Sequence, residues 1–138
     1  MTPSTLRSPD GLITVAGEVS QLPDGSTVRL VRAGLGDESD GILACDPSGR
    51  SVARATYQRG YGPRAKLVLE VDDAYWHRGL PELVLRKLSE GAARRGISTL
   101  VARVRAADLR LLALLREEFA ARETRDGAFV EAELETRP

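Results

Sequence analysis

Gly79 closes a turn that runs Val71-Asp72-Asp73-Ala74-Tyr75-Trp76-His77-Arg78-Gly79-Leu80-Pro81 and opens directly on an amphipathic stretch. A strand that feeds a helix start through such a turn brings free backbone N–H groups and the positive end of the helix dipole to one point. Proteins hold phosphates there, so the layout points to a phosphorylated cofactor, with Arg78 as the adjacent cation. The plainer reading is a strand-to-helix turn that needs glycine and carries a solvated arginine.

Other side chains with chemistry to offer are few. Glu70 is the carboxylate nearest the turn, although a surface glutamate on a strand looks the same. His77 is the only histidine, and no acid stands at a recognisable spacing from it; general-base work by imidazole would have to use it. Asp72 and Asp73 suit capping of the turn. Tyr57, Tyr61 and Trp76 would either line a ligand or fill the core. Cys45 falls in an apolar strand without a neighbouring base, the setting of an inert thiol. One cysteine and one histidine exclude an internal disulfide and a zinc cluster, so no metal site is expected.

The elements that must position these groups follow from periodicity. Residues 65–71 alternate, with Ala65, Leu67, Leu69 and Val71 on one face and Lys66, Val68 and Glu70 on the other. A helix over 82–95 follows, with Leu85, Leu88 and Ala92 on one stripe and Gly96 as its stop. Ile97 to Val104 reads as a strand. Asp108 stands at the N-cap of a second helix that carries Leu111, Leu112, Leu114, Leu115 and Phe119. Upstream, strands over 12–15 and 27–31 flank a Leu22-Pro23-Asp24-Gly25 turn, 33–41 is a loop, and 42–45 with 52–57 form a hairpin about Asp46-Pro47-Ser48-Gly49. Two short strands, 120–126 and 128–134, close the chain about Asp126-Gly127. Residues 1–10 read as a flexible terminus and 11–138 as one domain. Consecutive strands joined by a helix lie parallel, so the fold class is α/β: a mixed, mostly antiparallel sheet with a central parallel pair and two main helices.

Composition narrows the partners. The chain has 138 residues, of which 42% are hydrophobic and 29% charged, and twenty basic residues balance twenty acidic ones. No global field recruits nucleic acid or anionic lipid, despite Arg94, Arg95, Arg103 and Arg105, so neither partner is expected. No stretch is long and apolar enough to span a bilayer. A single cysteine suits the reducing cytoplasm.

Residues 42–119 resemble the cofactor-binding half of the GNAT N-acetyltransferases. The likeness rests on the hairpin, the strand ending in Val71-Asp72, the Arg78-Gly79-Leu80 turn, the helix with Ala92-Ala93-Arg94-Arg95-Gly96-Ile97, the next strand, and the helix ending in Phe119. Leu22-Pro23-Asp24-Gly25-Ser26-Thr27-Val28-Arg29 is similar to the first strand of GNAT domains related to bacterial protein-lysine acetyltransferases. The resemblance implies transfer of an acetyl group from acetyl-CoA, or from another acyl-CoA, to an amine acceptor. It places Leu69, Val71, Arg78, Gly79, Leu80 and Asp108 around the cofactor, and Glu70 on the strand that in the family often supplies a catalytic base.

The chain also departs from the family pattern. The pyrophosphate loop Gln/Arg-x-x-Gly-x-Gly/Ala falls on Trp76, Gly79 and Pro81, so only the central glycine matches. Each lost hydrogen bond to a phosphate costs roughly 1.5–3 kcal/mol, and two would weaken binding about a hundredfold or more. Asp108 replaces the usual Asn, Glu118 the usual Gly, and the second helix has no tyrosine to protonate a leaving thiolate. The two helices that the family places between its first and second strands are replaced by 33–41. An uncovered sheet face then calls for a homodimer or a protein partner. The alternative to a weak acyltransferase is thus a non-catalytic GNAT-like module for dimerisation or regulation.

Overall fold

The structure is a computed structural model that describes residues 5–7, 13–15, 17–32 and 39–136. In chain order the elements are β1 (Thr5–Arg7), β2 (Ile13–Val15), β3 (Glu18–Gln21), β4 (Thr27–Arg32), β5 (Ser39–Cys45), β6 (Ser51–Arg59), β7 (Arg64–Val71), a 3-10 turn (Asp73–Tyr75), α1 (Leu80–Arg94), β8 (Thr99–Arg105), α2 (Leu109–Phe119), β9 (Arg122–Asp126) and β10 (Phe129–Glu135). Strands β1 and β2 pair with each other, and the rest form an eight-stranded sheet in the order β3-β4-β5-β6-β7-β8-β10-β9. The sheet is mostly antiparallel, and β7 with β8 is its parallel pair, in register from Arg64↔Thr99 to Leu67↔Ala102. The expected fold class stands.

Three boundaries differ from the sequence reading. Residues 5–7, inside the stretch expected to be loose, form a strand against 13–15; the remainder of 1–10 lies outside the described residues. The strand that precedes the Leu22–Gly25 turn is Glu18–Gln21, not 12–15, and it pairs with β4. Its side chains are polar or exposed, so it has no apolar period to betray it. Strand β5 begins at Ser39, inside the expected loop 33–41, of which 33–38 lie outside the described residues. Asp40 there is 3% exposed. It ion-pairs with Arg32 and accepts the Gly41 N–H at 2.8 Å, which satisfies a buried carboxylate.

The chain divides into two compact units. The first comprises Met1–Thr56 and Leu69–Leu88. Its core draws on Val28, Leu30, Ile42, Ala44, Val52 and Ala55 of the strands, and on Leu80, Val84, Leu85 and Leu88 of α1, all buried. The spacing of those α1 residues sets one apolar stripe along the helix.

The second unit comprises Tyr57–Val68 and Ser89–Pro138. Alternate residues of its strands are buried: Ala65 and Leu67; Leu100, Ala102 and Val104; Val130, Ala132 and Leu134. Helix α2 packs on β10 and buries Leu112, Leu114 and Leu115. Helix α1 stops at Gly96, whose φ is +84°, as the Ile97 N–H returns to the Ala92 carbonyl at 3.0 Å. That closing bond satisfies a carbonyl the helix end would otherwise leave open.

Candidate functional site

The end of β7, the turn 72–79 and the start of α1 lie in one unit. That unit holds Leu69, Glu70, Val71, Arg78, Gly79 and Leu80. The turn is built from its own acids. Asp72 donates its N–H to the Val52 carbonyl on β6 at 2.9 Å, which ties the strand end to its neighbour. Its Oδ1 accepts the Ala74 N–H at 3.1 Å and caps the 3-10 turn, while its Oδ2 takes Arg50 at 3.0 Å. The Tyr75 N–H bonds the Asp72 carbonyl at 2.8 Å, and the Arg78 N–H bonds the Tyr75 carbonyl at 3.2 Å.

Gly79 is where helical bonding begins, because its carbonyl accepts the Leu83 N–H at 3.2 Å. Its φ is +85°, and a Cβ added there would stand 3.0 Å from Cδ and 3.2 Å from Cγ of Pro23. Both facts demand glycine. The helix start is therefore seated on the turn between β3 and β4. Leu80 is fully buried and Pro81 nearly so, which anchors the first helical turn.

Helix geometry leaves the N–H groups of Leu80 and Glu82 without an intrahelical acceptor, and Pro81 has none to offer. The Glu82 N–H and the helix dipole suit an anion, while Leu80, with none of its surface exposed, presents no donor to solvent. The side chains fit it less well. Arg78 lies 3.5 Å from Asp24 and 4.6 Å above the centre of the Tyr75 ring. Asp24 is held below the usual carboxylate value of 3.8, chiefly by hydrogen bonds from Ser26 and further by the Arg78 charge. The cation beside the glycine thus already has an anion. Glu82, in the same helical turn, keeps one carboxylate oxygen buried with no hydrogen-bond partner. Such an orphan acceptor favours a donor nearby, not another anion.

Glu70 points to solvent and pairs with Arg54 at 3.5 Å. Leu69 and Val71 are half-buried. Asp108 lies in the other unit, where its carboxylate accepts the Leu111 N–H at 3.2 Å and caps α2. His77 is exposed, Trp76 half-buried and Tyr57 buried, while Tyr61 is 97% exposed. Tyr57 and Tyr61, which share a unit, therefore do not face one space together. Cys45 is half-buried, and burial, with Asp46 beside it, pushes its thiol above the usual 9.0. Among the described residues no group of His, Cys, Asp and Glu is arranged to hold a metal ion.

Sequence reasoning missed the Asp24–Arg78 pair and the clash that Pro23 imposes on Gly79. Leu22-Pro23-Asp24-Gly25 was legible as a turn, but nothing local says that it meets the helix start.

Comparison with known proteins bears on the fold. No protein-family model matches the chain, and no curated protein matches it in sequence. Solved structures do. The GNAT domain of S. lividans PAT superposes with a TM-score of 0.75 at 16% identity, covering 86% of this chain and 96% of that one. A cAMP-binding acyltransferase from Mycobacterium smegmatis gives 0.78 at 17% identity over 89% of this chain, which spans only 48% of that protein. A ribosomal-protein-alanine N-acetyltransferase from Escherichia coli gives 0.60 at 24% identity, with 75% and 72% covered. The chain has the fold of the GNAT acyltransferase domains, and resembles those of the PAT type.

Proposed function

We propose that the chain transfers an acyl group, the acetyl group first among candidates, from acyl-CoA to an amine, with weak hold on the cofactor. The observation that carries this reading is the start of α1, where a glycine at φ +85° closes the turn from β7 and opens the helix. Acyl-CoA would supply a thioester carbonyl for the amine to attack and a thiolate to leave.

The chain's own part is placement. The N-terminus of α1 holds the pyrophosphate through the helix dipole and the Glu82 N–H, while Arg78 stays with Asp24. The backbone at Leu69 and Val71, beyond the last rung of the β7–β8 ladder at Leu67↔Ala102, holds the extended arm and the carbonyl. Glu70 takes the proton from the attacking amine. Asp108 keeps α2 in place through its cap. Fixing reactants in this way accounts for catalysis without a covalent nucleophile. Among the described residues no helix is long and apolar enough to cross a membrane, and with a single cysteine we take the protein to work in the cytoplasm.

Calorimetry of the full chain with acetyl-CoA tests the reading. The expected dissociation constant is on the order of 100 µM, about a hundredfold weaker than an intact phosphate loop would give. Release of free thiol in the presence of an amine panel should then follow, and fall in Glu70→Gln. No heat at millimolar acetyl-CoA would end the proposal and leave a non-catalytic module.

A further inference from the structure

We propose that a groove on the open sheet face of the second unit binds a small monocarboxylate with an aromatic body. The groove has a volume of about 540 Å³ and runs along β7 beside β8, a size that suits one small organic molecule. Among the described residues the large hydrophobic side chains left exposed are Val19, Tyr61, Val68 and Leu109. Tyr61, at 97%, and Val68, at 55%, both line this one groove. Between them lies Val101, half-buried on β8 and beside Lys66 in the strand register. Apolar surface gathered in one concave place gains free energy when a ligand takes it out of water.

The charges of the lining are unevenly spread along it. At the Val68 end Arg103 stands directly beside Glu131 of β10, so opposite charges meet on adjacent strands. Arg103 is held further by Asp126 at 3.5 Å and lies 4.2 Å above the centre of the Phe129 ring. At the Tyr61 end Arg64 and Lys66 line the groove. Arg64 pairs with Glu133 at 3.3 Å, which leaves that acid, two strands away from Lys66, already engaged. Lys66 is exposed and makes no ion pair among the described residues. The Tyr61 end therefore offers an unmatched cation, and the lining there includes no acid.

A monocarboxylate answers both features at once. Its carboxylate takes the Lys66 ammonium, and Arg64 can share it because an exposed ion pair such as Arg64–Glu133 holds weakly. Its ring lies over Val101 and the aliphatic stem of Lys66, with the Tyr61 phenol free to stack beside it. Glu131 sets the limit. Arg64 and Val68 are about 13 Å apart along the strand, so a ligand with a second carboxylate at its far end would meet Glu131. The groove thus selects one negative charge at the Tyr61 end and disfavours a cation there. Nothing in this binding involves the start of α1 or depends on acyl transfer.

Nuclear magnetic resonance titration of the isotope-labelled full chain, with no acyl-CoA present, tests the site with probes that differ only in charge: naphthoate, naphthalenemethanol and naphthylmethylammonium. Naphthoate should bind with a dissociation constant on the order of 0.5 mM and shift the amides of 61–68 and 101–103. The alcohol should bind about threefold more weakly and the ammonium about tenfold. Lys66→Gln should bring naphthoate down to the affinity of the alcohol and leave the alcohol unchanged. Tyr61→Ala, at a side chain the fold does not bury, should weaken all the probes. No shift at about 10 mM naphthoate overturns the proposal. So do shifts confined to other segments, equal affinities for the differently charged probes, or a Lys66→Gln chain that binds naphthoate as the wild type does.

Discussion

Replacing Gly79 by alanine should cost more than the same change at a glycine of the same conformation elsewhere. Gly25 is the control: its φ is +90°, and an added Cβ there meets nothing within 4 Å. Both substitutions force an L-residue into the left-handed region, at about 1–2 kcal/mol. At Gly79 the Cβ also lands 3.0 Å from Cδ of Pro23, and overpacking of that kind adds about 1–3 kcal/mol. For a chain of 138 residues the unfolding entropy is about 0.3 kcal/mol/K, so 1 kcal/mol moves the midpoint by about 3–4 °C. Thermal melts followed by circular dichroism should therefore show a fall of about 3–7 °C for Gly25→Ala and about 7–15 °C for Gly79→Ala. Adding Pro23→Ala to Gly79→Ala should return much of the difference. Equal losses at the two glycines, or no recovery without Pro23, would refute the seating of the helix start on the β3–β4 turn.

Asp24→Asn keeps the oxygen that accepts from Ser26 at 3.0 Å but removes the charge that holds Arg78. Acetyl-CoA should bind about two- to fivefold tighter by calorimetry, the range an exposed ion pair controls; unchanged or weaker binding would show that Arg78 is not held in reserve. Acid should destabilise the protein. Asp24, Asp46 and Glu123 are held low, chiefly by Ser26, Ser48 and Arg116 respectively. A depressed carboxylate contributes stability that is present above its unfolded value, 3.8 for the aspartates and 4.5 for Glu123, and is lost as pH falls through the folded value. Melting temperature should hold from pH 7 to pH 5 and fall below about pH 4, by a small amount since Asp24 and Glu123 are exposed and Asp46 is half-buried; a midpoint that rises on acidification contradicts the assignment. Cys45, with its thiol pushed up by burial, should alkylate at pH 8 at least about tenfold more slowly than in the denatured chain. Equal rates would mean that the thiol is open to solvent.

The sequence carried the order of elements because local physics writes it there. Ala65 and Leu67 alternate with Lys66 and Val68, so β7 announces both its type and its buried face. Asp108 announces the start of α2, and Gly96 the end of α1. What the sequence could not carry depends on partners far along the chain. Asp40 reads as one more acid in a glycine-rich loop until Arg32 is seen beside it. Strand β3 has no apolar alternation because it lies at a sheet edge, where charge and polarity guard against stray pairing. Arg78 reads as a phosphate ligand, and only the approach of Asp24, from the other side of the sequence, shows that its charge is already engaged.

The contacts that define the helix start also set its weakness as an anion site. Pro23 fixes Gly79 from one side and Asp24 holds Arg78 from the same turn, so the β3–β4 connection positions the donors and withdraws the cation together. A phosphate arriving there competes with a carboxylate that is exposed, not with one buried in low dielectric. The exchange is between two solvent-screened pairs, and its cost is small. What remains is set by the backbone, where Pro81 removes one donor and Glu82 adds an acceptor. Binding at this helix start should then depend little on salt, because it rests on fixed dipoles more than on net charge. A steep salt dependence of acetyl-CoA affinity in the wild type, vanishing in Arg78→Ala, would instead mean that the guanidinium leaves Asp24 and carries the binding itself.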